Sequence, residues 1–523
     1  MSLLPVLGSV FIVGATVLLI ARRIGLPTIP ALILSGIGIS RFTSFEGLSQ
    51  IIVLGISFLV FYIGLRTDLD GFTKVSSDSL NISLITVILS MTFVTALSLQ
   101  IGFEIVNALY IGLAASVAST LAGTDIFDRN LRMDLHHGQI STGANFIQDL
   151  VAVVIIAFLA SGASTSGLNT AVVTIGVLTV SFVGREFLSR IFHSIIESDE
   201  LKAVTMVAVY SAGVGFSQIT GISLIAASFA AGLMFSRGSE TEEFLDILEP
   251  LKDFFSIILF VGLGMLISIH SLQVLVISAI LMASALIFRP LITSAVMLLD
   301  GHSGRKAFKT SVNMIQVSEF ALGAVILAWI AGSISTAVFE AVVLSTALTM
   351  IISSFAVKHS EFIYEKLGLP LRKLEDILEY EVRPTDLKNH VIVVGYDVKG
   401  REVVEKLLEK GEKVLVIDYN AENIEQLRKE NIPHIFSDVL EDRTLEAANI
   451  GNTELLISTS DHRPVLEKLK DLNVRKLLVV ENREQADEFS DENSEVLVES
   501  EMVEKGLERK VSELIELKDT SPK

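Results

Sequence analysis

The chain has 523 residues, no cysteine and a formal net charge of −19, and its mean hydropathy is +0.59. The lack of cysteine excludes disulfides, thiol chemistry and thiolate metal sites, and the acidic balance argues against a nucleic-acid partner, which needs a basic face. Residues 358–523 hold 25 of the 41 Lys and Arg residues and 38 of the 60 Asp and Glu residues. The first 357 residues are therefore predicted to lie in a membrane, and the rest to form a water-exposed domain.

Apolar runs long enough to cross a bilayer, which takes roughly 17–25 residues, recur about thirteen times before residue 358. Arg22 and Arg23 follow the first run, which favours a retained helix over a cleaved signal peptide. With the N-terminus outside, Arg41 is the one basic loop residue that falls outside, so the positive-inside rule places the C-terminal domain in the cytoplasm of a multi-pass plasma-membrane protein. We expect transmembrane helices near 3–22, 27–40, 47–66, 79–101, 106–125, 138–161, 167–189, 201–217, 221–236, 248–269, 271–298, 308–330 and 335–357.

Two groups of helices carry similar motifs in the same order. LSGIGISR at 34–41 resembles AAGLMFSR at 230–237, and IGL at 63–65 resembles VGL at 261–263. The partners lie seven helices apart, and because seven is odd the two units cross the membrane in opposite directions. Inverted repeats are typical of secondary transporters, whose substrate site lies near the membrane midplane where the repeats meet.

The sixth predicted helix carries a carboxylate near its middle, Asp149. A carboxylate at that depth costs about 2.5–3.5 kcal/mol on insertion scales and is functional by default; the alternative is a structural Asp paired with a buried base. Asn145 shares a helix face with Asp149, and Gln148 lies beside it. Neutral oxygens around one carboxylate suit a weakly held monovalent cation, and the carboxylate can hold a proton instead. We therefore predict that a cation and a proton compete for a site at Asn145, Gln148 and Asp149, with Asp149 as the metal-ion ligand.

Helices 5 and 12 are predicted to be interrupted. They read GLAASVASTLAGTDIF and SVNMIQVSEFALGAV, and Ser, Thr and Gly weaken a membrane helix, so that unwound backbone and half-helix ends become available to ions. The alternative is that the hydroxyls bond back to their own helix. The polar residues at equivalent places in the two repeats are predicted to add ligands to the site: Ser119, Thr120, Gln316 and Ser318.

Two further charges lie deep in predicted helices, Arg289 in helix 11 and Glu319 in helix 12. We interpret them as a buried ion pair that holds these helices together. Removal of one partner of such a pair is strongly destabilising.

The segment NHVIVVGYDVKGREVVEKLLEKGEKVLVIDYN predicts strand, tight turn, helix and strand, and further strands follow at HIFSD, ELLIST and KLLVV. This pattern is typical of a doubly wound α/β domain with a Rossmann-type start. Asp397 stands where the second fingerprint glycine would be, and a carboxylate there would repel a pyrophosphate. No cofactor is required; the predicted regulatory ligand is an adenine nucleotide (AMP, ATP or NAD(H)), with Asp418 on the ribose. Alternatively, the glycines serve turn and packing alone. The candidate contacts are Gly395, Asp397, Gly400, Asp418 and Asp438.

These motifs together resemble the monovalent cation:proton antiporter 2 family, Kef-type branch, and the C-terminal domain resembles an RCK (TrkA-N) domain without its second lobe. The resemblance implies a homodimer in which helices 4–6 and 11–13 move as an elevator against a dimerisation scaffold. Family members with two adjacent acids are electrogenic and sodium-linked, whereas the Gln148-Asp149 pair looks like the one-acid type, with potassium and sodium both as candidates. The resemblance is carried by IGLRTDL, Ser119-Thr120, Gln148-Asp149, VGLGM and QVSEF.

The sequence thus predicts a polytopic α-helical membrane domain at 1–357, a linker at 358–388, a Rossmann-like RCK domain at 389–515 and a tail at 516–523. The predicted function is non-enzymatic: electroneutral exchange of K⁺, or Na⁺, for H⁺ under the control of the cytoplasmic domain. Two alternatives remain. One is an RCK-regulated cation channel, which the inverted repeats and the lack of a carbonyl-filter motif disfavour. The other is a membrane-tethered oxidoreductase, for which the domain offers no catalytic constellation.

Overall fold

The computed structural model divides into two compact units, Met1–Glu379 and Tyr380–Lys523. The described part of the first unit is helical, and that of the second is built on a parallel β-sheet. The residues described are 3–24, 27–40, 48–67, 77–119, 136–160, 165–193, 198–236, 239–267, 271–300, 302, 304–367, 385–418, 421–437, 439–440, 442–461, 463–480 and 482–498.

The helices of the first unit follow the predicted spans closely. Within the described ranges a helix, or a pair of helices, lies at each of the thirteen predicted spans, and seven helical stretches are long and apolar enough to cross a membrane. The prediction of a polytopic helical domain is therefore confirmed. In chain order the helices are α1 (Leu3–Ile24), α2 (Thr28–Ile39), α3 (Leu48–Arg66), α4 (Ser77–Ile101), α5 (Ile105–Ser116), α6 (His136–Ala160), α7 (Thr165–His193), α8 (Asp199–Thr220), α9 (Leu224–Leu233), α10 (Ser239–Leu266), α11 (Leu272–Ala283), α12 (Arg289–Leu299), α13 (Gly304–Val312), α14 (Glu319–Ile330), α15 (Thr336–Lys358) and α16 (Ser360–Leu367).

The two predicted interruptions are both present. Helix α5 ends at Ser116, and the chain becomes extended at Val117, with φ −107° and ψ 134°. The twelfth span divides into α13 and α14, with Ser318 extended at φ −73° and ψ 145°. The two extended segments meet where the Ser318 N–H donates to the Val117 carbonyl at 3.2 Å. The remainder of the fifth span, from Thr120 to 125, lies outside the described residues.

The predicted repeats appear as two matching helix crossings. Helix α2 packs so closely on α10 that a Cβ added at Gly36 would lie 2.1 Å from the Val261 carbonyl oxygen. Helix α9 packs on α3 in the same way, since a Cβ at Gly232 would lie 2.0 Å from the Phe61 carbonyl oxygen. Each crossing therefore contains one helix from each repeat.

A second glycine on each crossing corrects the register of the repeat. A Cβ at Gly64 would meet the Phe229 carbonyl at 2.3 Å, and a Cβ at Gly264 would meet the Ile33 carbonyl at 2.0 Å. Gly64 and Gly264 therefore occupy equivalent positions in the two repeats, because each lies against the backbone of the helix that crosses it. The GL dipeptide in the sequence had paired Gly64 with Gly262 instead. The same offset of 200 residues places Ser119 opposite Glu319.

Helices α11 and α12 form one long rod with a π-helical turn, Ser284–Phe288, between them. Pro290 follows directly, and its ring and missing N–H disfavour regular α-helical bonding to the preceding turn. The wider turn brings Arg289 to a position where its side chain is fully buried.

The second unit contains six parallel strands in the order β3-β2-β1-β4-β5-β6. This is the doubly wound order, and its switch point between β1 and β4 is where ligands usually bind. Its elements are β1 (His390–Val394), α17 (Val398–Glu409), β2 (Val414–Asp418), α18 (Ala421–Lys429), β3 (His434–Phe436), α19 (Asp442–Ala447), β4 (Thr453–Ser458), α20 (Arg463–Lys470), β5 (Lys476–Val480), α21 (Arg483–Phe489) and β6 (Ser494–Val498).

Two hydrophobic clusters lie on opposite faces of this sheet, because strand side chains alternate between faces. On one face, alternate strand residues such as Ile392 and Leu478 pack with α19, α20 and α21. On the other, Val391 and Val416 pack with α17 and α18. The helices on the second face lie toward the β1–β3 half of the sheet.

Candidate cation site and nucleotide-binding turn

The polar face of α6 lies against the extended segment that follows α5. The Ala118 N–H donates to Gln148 Oε1 at 2.9 Å, and Asn145 Nδ2 approaches the Ser119 carbonyl at 3.5 Å. Asp149 follows directly on the same helix and is 2% exposed. The predicted carboxylate and its two neighbours therefore lie at the point where a membrane helix has been unwound.

The second interrupted span reaches the same place from the other repeat. Ser119 Oγ donates a short hydrogen bond to Glu319 Oε1, and Glu319 is the first residue of α14. Ser318 Oγ accepts from the Phe320 N–H at 3.1 Å and so caps α14. A side-chain oxygen at that position stabilises a helix start, so the predicted ligand Ser318 serves as a cap in this conformation.

The predicted ion pair between Arg289 and Glu319 is wrong. The Arg289 guanidinium donates through one nitrogen to the carbonyls of Ile315 at 3.1 Å and Gln316 at 2.9 Å, and among the described residues no salt bridge joins it to Glu319. The physical reason is the break itself. Unwound backbone leaves carbonyls without the N–H donors of a regular helix, and the Arg289 guanidinium provides those donors. The Glu319 carboxylate is bound by Ser119 instead.

Several buried polar atoms around this crossing have no hydrogen-bond partner within the described ranges: Asn145 Oδ1, Gln148 Nε2 and Gln316 Oε1. Leaving such a group unsatisfied costs about 1–3 kcal/mol, so their persistence indicates a ligand or a functional role. The two oxygens are ligands of the kind that a hard monovalent cation accepts. Gln316 Nε2 donates to Ser353 Oγ, which fixes that amide.

The structure therefore brings together Ser119, Asn145, Gln148, Asp149 and Glu319 around one crossing of extended backbone. Gln316 lies on the adjacent unwound segment and is tied to α15 instead. Thr120 lies outside the described residues. The described residues of the predicted cation site thus come from α6 and from both repeats, and the backbone between 117 and 119 lies between them.

Two residues of α15 support the site and were not predicted. Thr349 Oγ1 accepts from the Val317 N–H at 3.2 Å, and Ser353 holds Gln316. Together with Thr346 these residues are spaced i, i+3 and i+7 and are fully buried. A polar stripe at helical spacing inside an apolar span was the signal that could have identified them.

In the second unit, the turn after β1 has the glycine geometry of a dinucleotide-binding loop but holds a carboxylate at its centre. Gly395 has φ +93°, which favours glycine, and a Cβ at Gly400 would lie 2.1 Å from the Gly395 carbonyl oxygen. Asp397 Oδ1 accepts from the Gly400 N–H at 2.8 Å and caps α17; Thr459 Oγ1 lies 3.4 Å from the same oxygen. The carboxylate therefore occupies the helix N-terminus where a pyrophosphate binds, and these residues do not fit a pyrophosphate as they stand.

The acidic residue at the end of β2 is engaged by the same turn. Asp418 Oδ2 accepts from the Tyr396 N–H at 2.6 Å and from Asn423 Nδ2 at 3.0 Å. Tyr396 is fully buried, and burial raises its pKa to about 12. A ribose at Asp418 would have to compete with the partners that this carboxylate already has. Asp438 lies outside the described residues.

The class of protein follows from the two units and from comparison with known families. Residues 8–359 match the family model described as sodium/hydrogen exchanger, transmembrane, and residues 391–465 match the TrkA-N domain. The chain belongs to the sodium/hydrogen exchanger family and carries a TrkA-N domain at its C-terminal end.

Individual relatives agree with this assignment. The chain is 24% identical over 434 residues to YbaL of Escherichia coli (strain K12), described as a candidate cation/proton antiporter, covering 78% of this chain and 76% of YbaL. It is 23% identical over 470 residues to the glutathione-regulated potassium-efflux system protein KefC of Salmonella typhi, covering 86% and 74%. The solved structure of the sodium proton antiporter MjNhaP1 from Methanocaldococcus jannaschii aligns at TM-score 0.56 and 14% identity, covering 70% of this chain and 98% of that one, and so shows the same fold.

Proposed function

We propose that this protein exchanges a monovalent cation for protons across a membrane and that Asp149 binds the two ions alternately. The observation that supports this most strongly is the meeting of α6 with two unwound segments at a buried carboxylate. Asn145 Oδ1 lies there without a hydrogen-bond partner among the described residues, and Gln316 Oε1, on the adjacent unwound segment, likewise has none. Backbone carbonyls and amide oxygens replace part of a cation's hydration shell.

Exchange at this site needs one titratable group. With Asp149 ionised, the carboxylate and neighbouring oxygens hold a cation; with Asp149 protonated, the charge that attracts the cation is gone. Gln148 is fixed by the Ala118 N–H and contributes no second charge beside Asp149. The exchange is therefore one cation for one proton and electroneutral.

Potassium is the favoured cargo, and sodium is the second candidate. Relatives with similar coverage of the chain are named for potassium, including KefB of Alkalimonas amylolytica, whose name describes K⁺ efflux. Amide and carbonyl oxygens bind either ion, so the size of the site determines which ion is preferred. Flux measurements with each ion separately identify the transported cation.

Alternating access is proposed to use the helices around the crossing as the moving core. Ser79 and Ser83 of α4 donate to the Ile140 and Ala144 carbonyls of α6 at 3.1 and 2.8 Å, and Asn313 Nδ2 donates to Ser141 Oγ at 3.2 Å. These bonds tie both repeats to α6. In this proposal the core moves against a scaffold that forms the interface of a homodimer. The dimer lies in a plasma membrane, with the TrkA-N domain in the cytoplasm.

The TrkA-N domain is proposed to regulate transport, with an adenine nucleotide as its ligand. The support is the Rossmann-type strand order with its switch point beside Gly395. Because Asp397 fills the anion position, nucleotide binding requires that this carboxylate rotate away or be neutralised. Affinity for a diphosphate is therefore expected to be low.

The test is flux in proteoliposomes that contain the purified full-length chain, with K⁺ and Na⁺ supplied separately. Asp149→Asn should abolish cation-driven proton flux and leave folding intact, because an amide neither titrates nor carries charge. Asp199→Asn, the same change at an exposed residue, is the matched control and should transport normally. Unaltered flux in Asp149→Asn would refute the proposal, and single-channel currents in planar bilayers would favour the channel alternative.

A further inference from the structure

Three buried side-chain amides lie on or beside the two extended segments, and within the described part of the chain each has one end bound and the other end free. Gln148 uses its oxygen on the Ala118 N–H at 2.9 Å, so its free end is the Nε2 donor. Asn145 uses its nitrogen on the Ser119 carbonyl at 3.5 Å, so its free end is Oδ1. The free end decides what an amide can bind, because the oxygen accepts hydrogen bonds and coordinates cations whereas the nitrogen donates.

Gln316 has the same orientation as Asn145. Its Nε2 donates to Ser353 Oγ of α15, and its Oε1 has no hydrogen-bond partner among the described residues, although the side chain is fully buried. A buried oxygen without a partner is unfavourable, and a bound cation would satisfy it. Asn145 and Gln316 therefore each present an oxygen, whereas Gln148 presents a nitrogen.

The hydrogen bond to Ser353 sets the orientation of the Gln316 amide. The last torsion of a glutamine side chain has broad preferences, so an unbound amide turns its oxygen and its nitrogen in many directions. Ser353 binds the nitrogen and leaves the oxygen available. One hydroxyl on α15 thus decides which end of Gln316 is available to a ligand.

The backbone at Gln316 is held by other residues than Ser353. The Gln316 carbonyl accepts from the Arg289 guanidinium at 2.9 Å, and the Val317 N–H donates to Thr349 Oγ1 at 3.2 Å. Removal of the Ser353 hydroxyl should therefore release the amide and leave the unwound backbone in place.

The unwound segment that carries Gln316 continues to the candidate cation site. Two residues after Gln316, the Ser318 N–H donates to the Val117 carbonyl at 3.2 Å. The next N–H along that other segment, from Ala118, is the one that Gln148 of α6 binds. Gln316 is thus two residues from the point at which both extended segments and α6 meet.

We propose that Gln316 binds the transported cation through Oε1 and that Ser353 is a positioning residue, which holds the amide with its oxygen available. This inference rests on the proposed exchange function. It gives α15 a part in cation affinity through a side chain that does not itself contact the ion.

The experiment measures the apparent KM of proton flux for K⁺, and separately for Na⁺, in proteoliposomes that contain the full-length chain. In Ser353→Ala the KM should rise about two- to twelvefold, the factor that corresponds to one ordinary hydrogen bond. Maximal flux and the thermal unfolding temperature should stay close to those of the unmodified protein. Ser353→Thr, which keeps the hydroxyl, should restore the low KM.

Ser345→Ala is the matched control. Ser345 lies on the same helix and is fully buried, and its Oγ has no hydrogen-bond partner among the described residues. The KM of this variant should equal that of the unmodified protein. A rise as large as in Ser353→Ala would show that any lost hydroxyl on α15 has this effect, and would overturn the inference.

Gln316→Ala tests the ligand itself without a change in α15, whether or not Ser353→Ala folds. It should raise the KM at least as much as Ser353→Ala does. The double variant should show no further rise, because Ser353 acts through Gln316. Exchange with an unchanged KM in either single variant, or a further rise in the double variant, would overturn this inference alone. Absence of cation-driven flux in the unmodified protein would instead refute the proposed function, and this inference with it.

Discussion

Arg289 supports the unwound backbone of the twelfth span. Its guanidinium donates to the Ile315 and Gln316 carbonyls, and it is 1% exposed. Arginine suits this role because one terminal nitrogen of its rigid guanidinium carries two N–H donors, enough for both carbonyls. The residue that follows the break, Glu319, binds Ser119 across the crossing instead.

Exchanging the two charges should therefore not rescue the protein. Arg289→Met leaves the two carbonyls without a donor, at about 1–3 kcal/mol each, and should lower the thermal unfolding temperature in detergent. Arg289→Lys, the control that keeps the charge, should lower it less. The double variant Arg289→Glu with Glu319→Arg should be no more stable than Arg289→Met; recovery to near the original stability would restore the ion-pair interpretation.

His390 is expected to make the TrkA-N domain sensitive to acid. It begins β1, is 1% exposed, and its Nε2 bonds to the Ala448 carbonyl at 3.0 Å. Burial lowers its pKa, partly offset by that hydrogen bond, so the folded state favours the neutral ring. The unfolded chain, with a histidine pKa of about 6.5, binds the proton more readily.

The sign of the pH dependence follows from this difference. Stability contributed by the neutral ring is present above about pH 6.5 and is lost as the pH falls below it. Hydrogen-exchange protection of β1 in the full-length protein should therefore decrease between pH 7.5 and 5.5. His390→Gln should reduce this decrease, whereas His359→Gln, outside the domain, should leave it unchanged. An equal decrease in His390→Gln would exclude this residue as the cause.

At the scale of single elements, α17 begins with a cap that also decides what the turn binds. The Asp397 carboxylate takes the Gly400 N–H, which satisfies a helix donor that a phosphate would otherwise bind. The same side chain thus stabilises the domain and disfavours anionic ligands.

Two substitutions separate these effects. Asp397→Gly restores the glycine and removes the negative charge, so it should raise the affinity for NAD or ATP, with a loss of stability of about a few tenths of a kcal/mol. Asp397→Asn keeps a capping side chain and should raise affinity less. Calorimetric titration of the full-length protein with AMP, ATP, NAD and NADH measures this. Unchanged affinity in both variants would mean that nucleotides do not bind at the turn that contains Asp397.

The helices and the interruptions of the membrane unit could be predicted from sequence because hydropathy and Ser/Gly content report directly on them. The hydrogen-bond partners at the place where the two extended segments meet could not be predicted. Whether Arg289 meets a carboxylate or a carbonyl depends on which backbone groups the break exposes, and the equivalence of Gly64 with Gly264 depends on contacts between distant helices. The capping role of Asp397 was not predicted. The glycine pattern of a dinucleotide-binding turn shows that Asp397 replaces a glycine, but it does not show which N–H the carboxylate binds.

For the molecule as a whole, the proposed mechanism determines how much charge crosses the membrane in each cycle. The proposal assigns the exchange to one carboxylate, Asp149, because Gln148 beside it is neutral and bound to the Ala118 N–H and the Glu319 carboxylate is bound by Ser119. In the proposed exchange one cation replaces one proton, so no net charge crosses the membrane. The membrane potential, worth about 2.3 kcal/mol per charge per 100 mV, then has no direct effect on the equilibrium.

The most direct test is the cation gradient at which proton flux reverses in proteoliposomes, measured at clamped potentials. Valinomycin sets the potential when Na⁺ is the cargo, and a gradient of a permeant anion sets it when K⁺ is. Electroneutral exchange predicts the same reversal gradient at 0 and at −100 mV. A reversal gradient that shifts by about fiftyfold, as expected for one net charge, would contradict electroneutral exchange and make Glu319 the candidate second charge carrier.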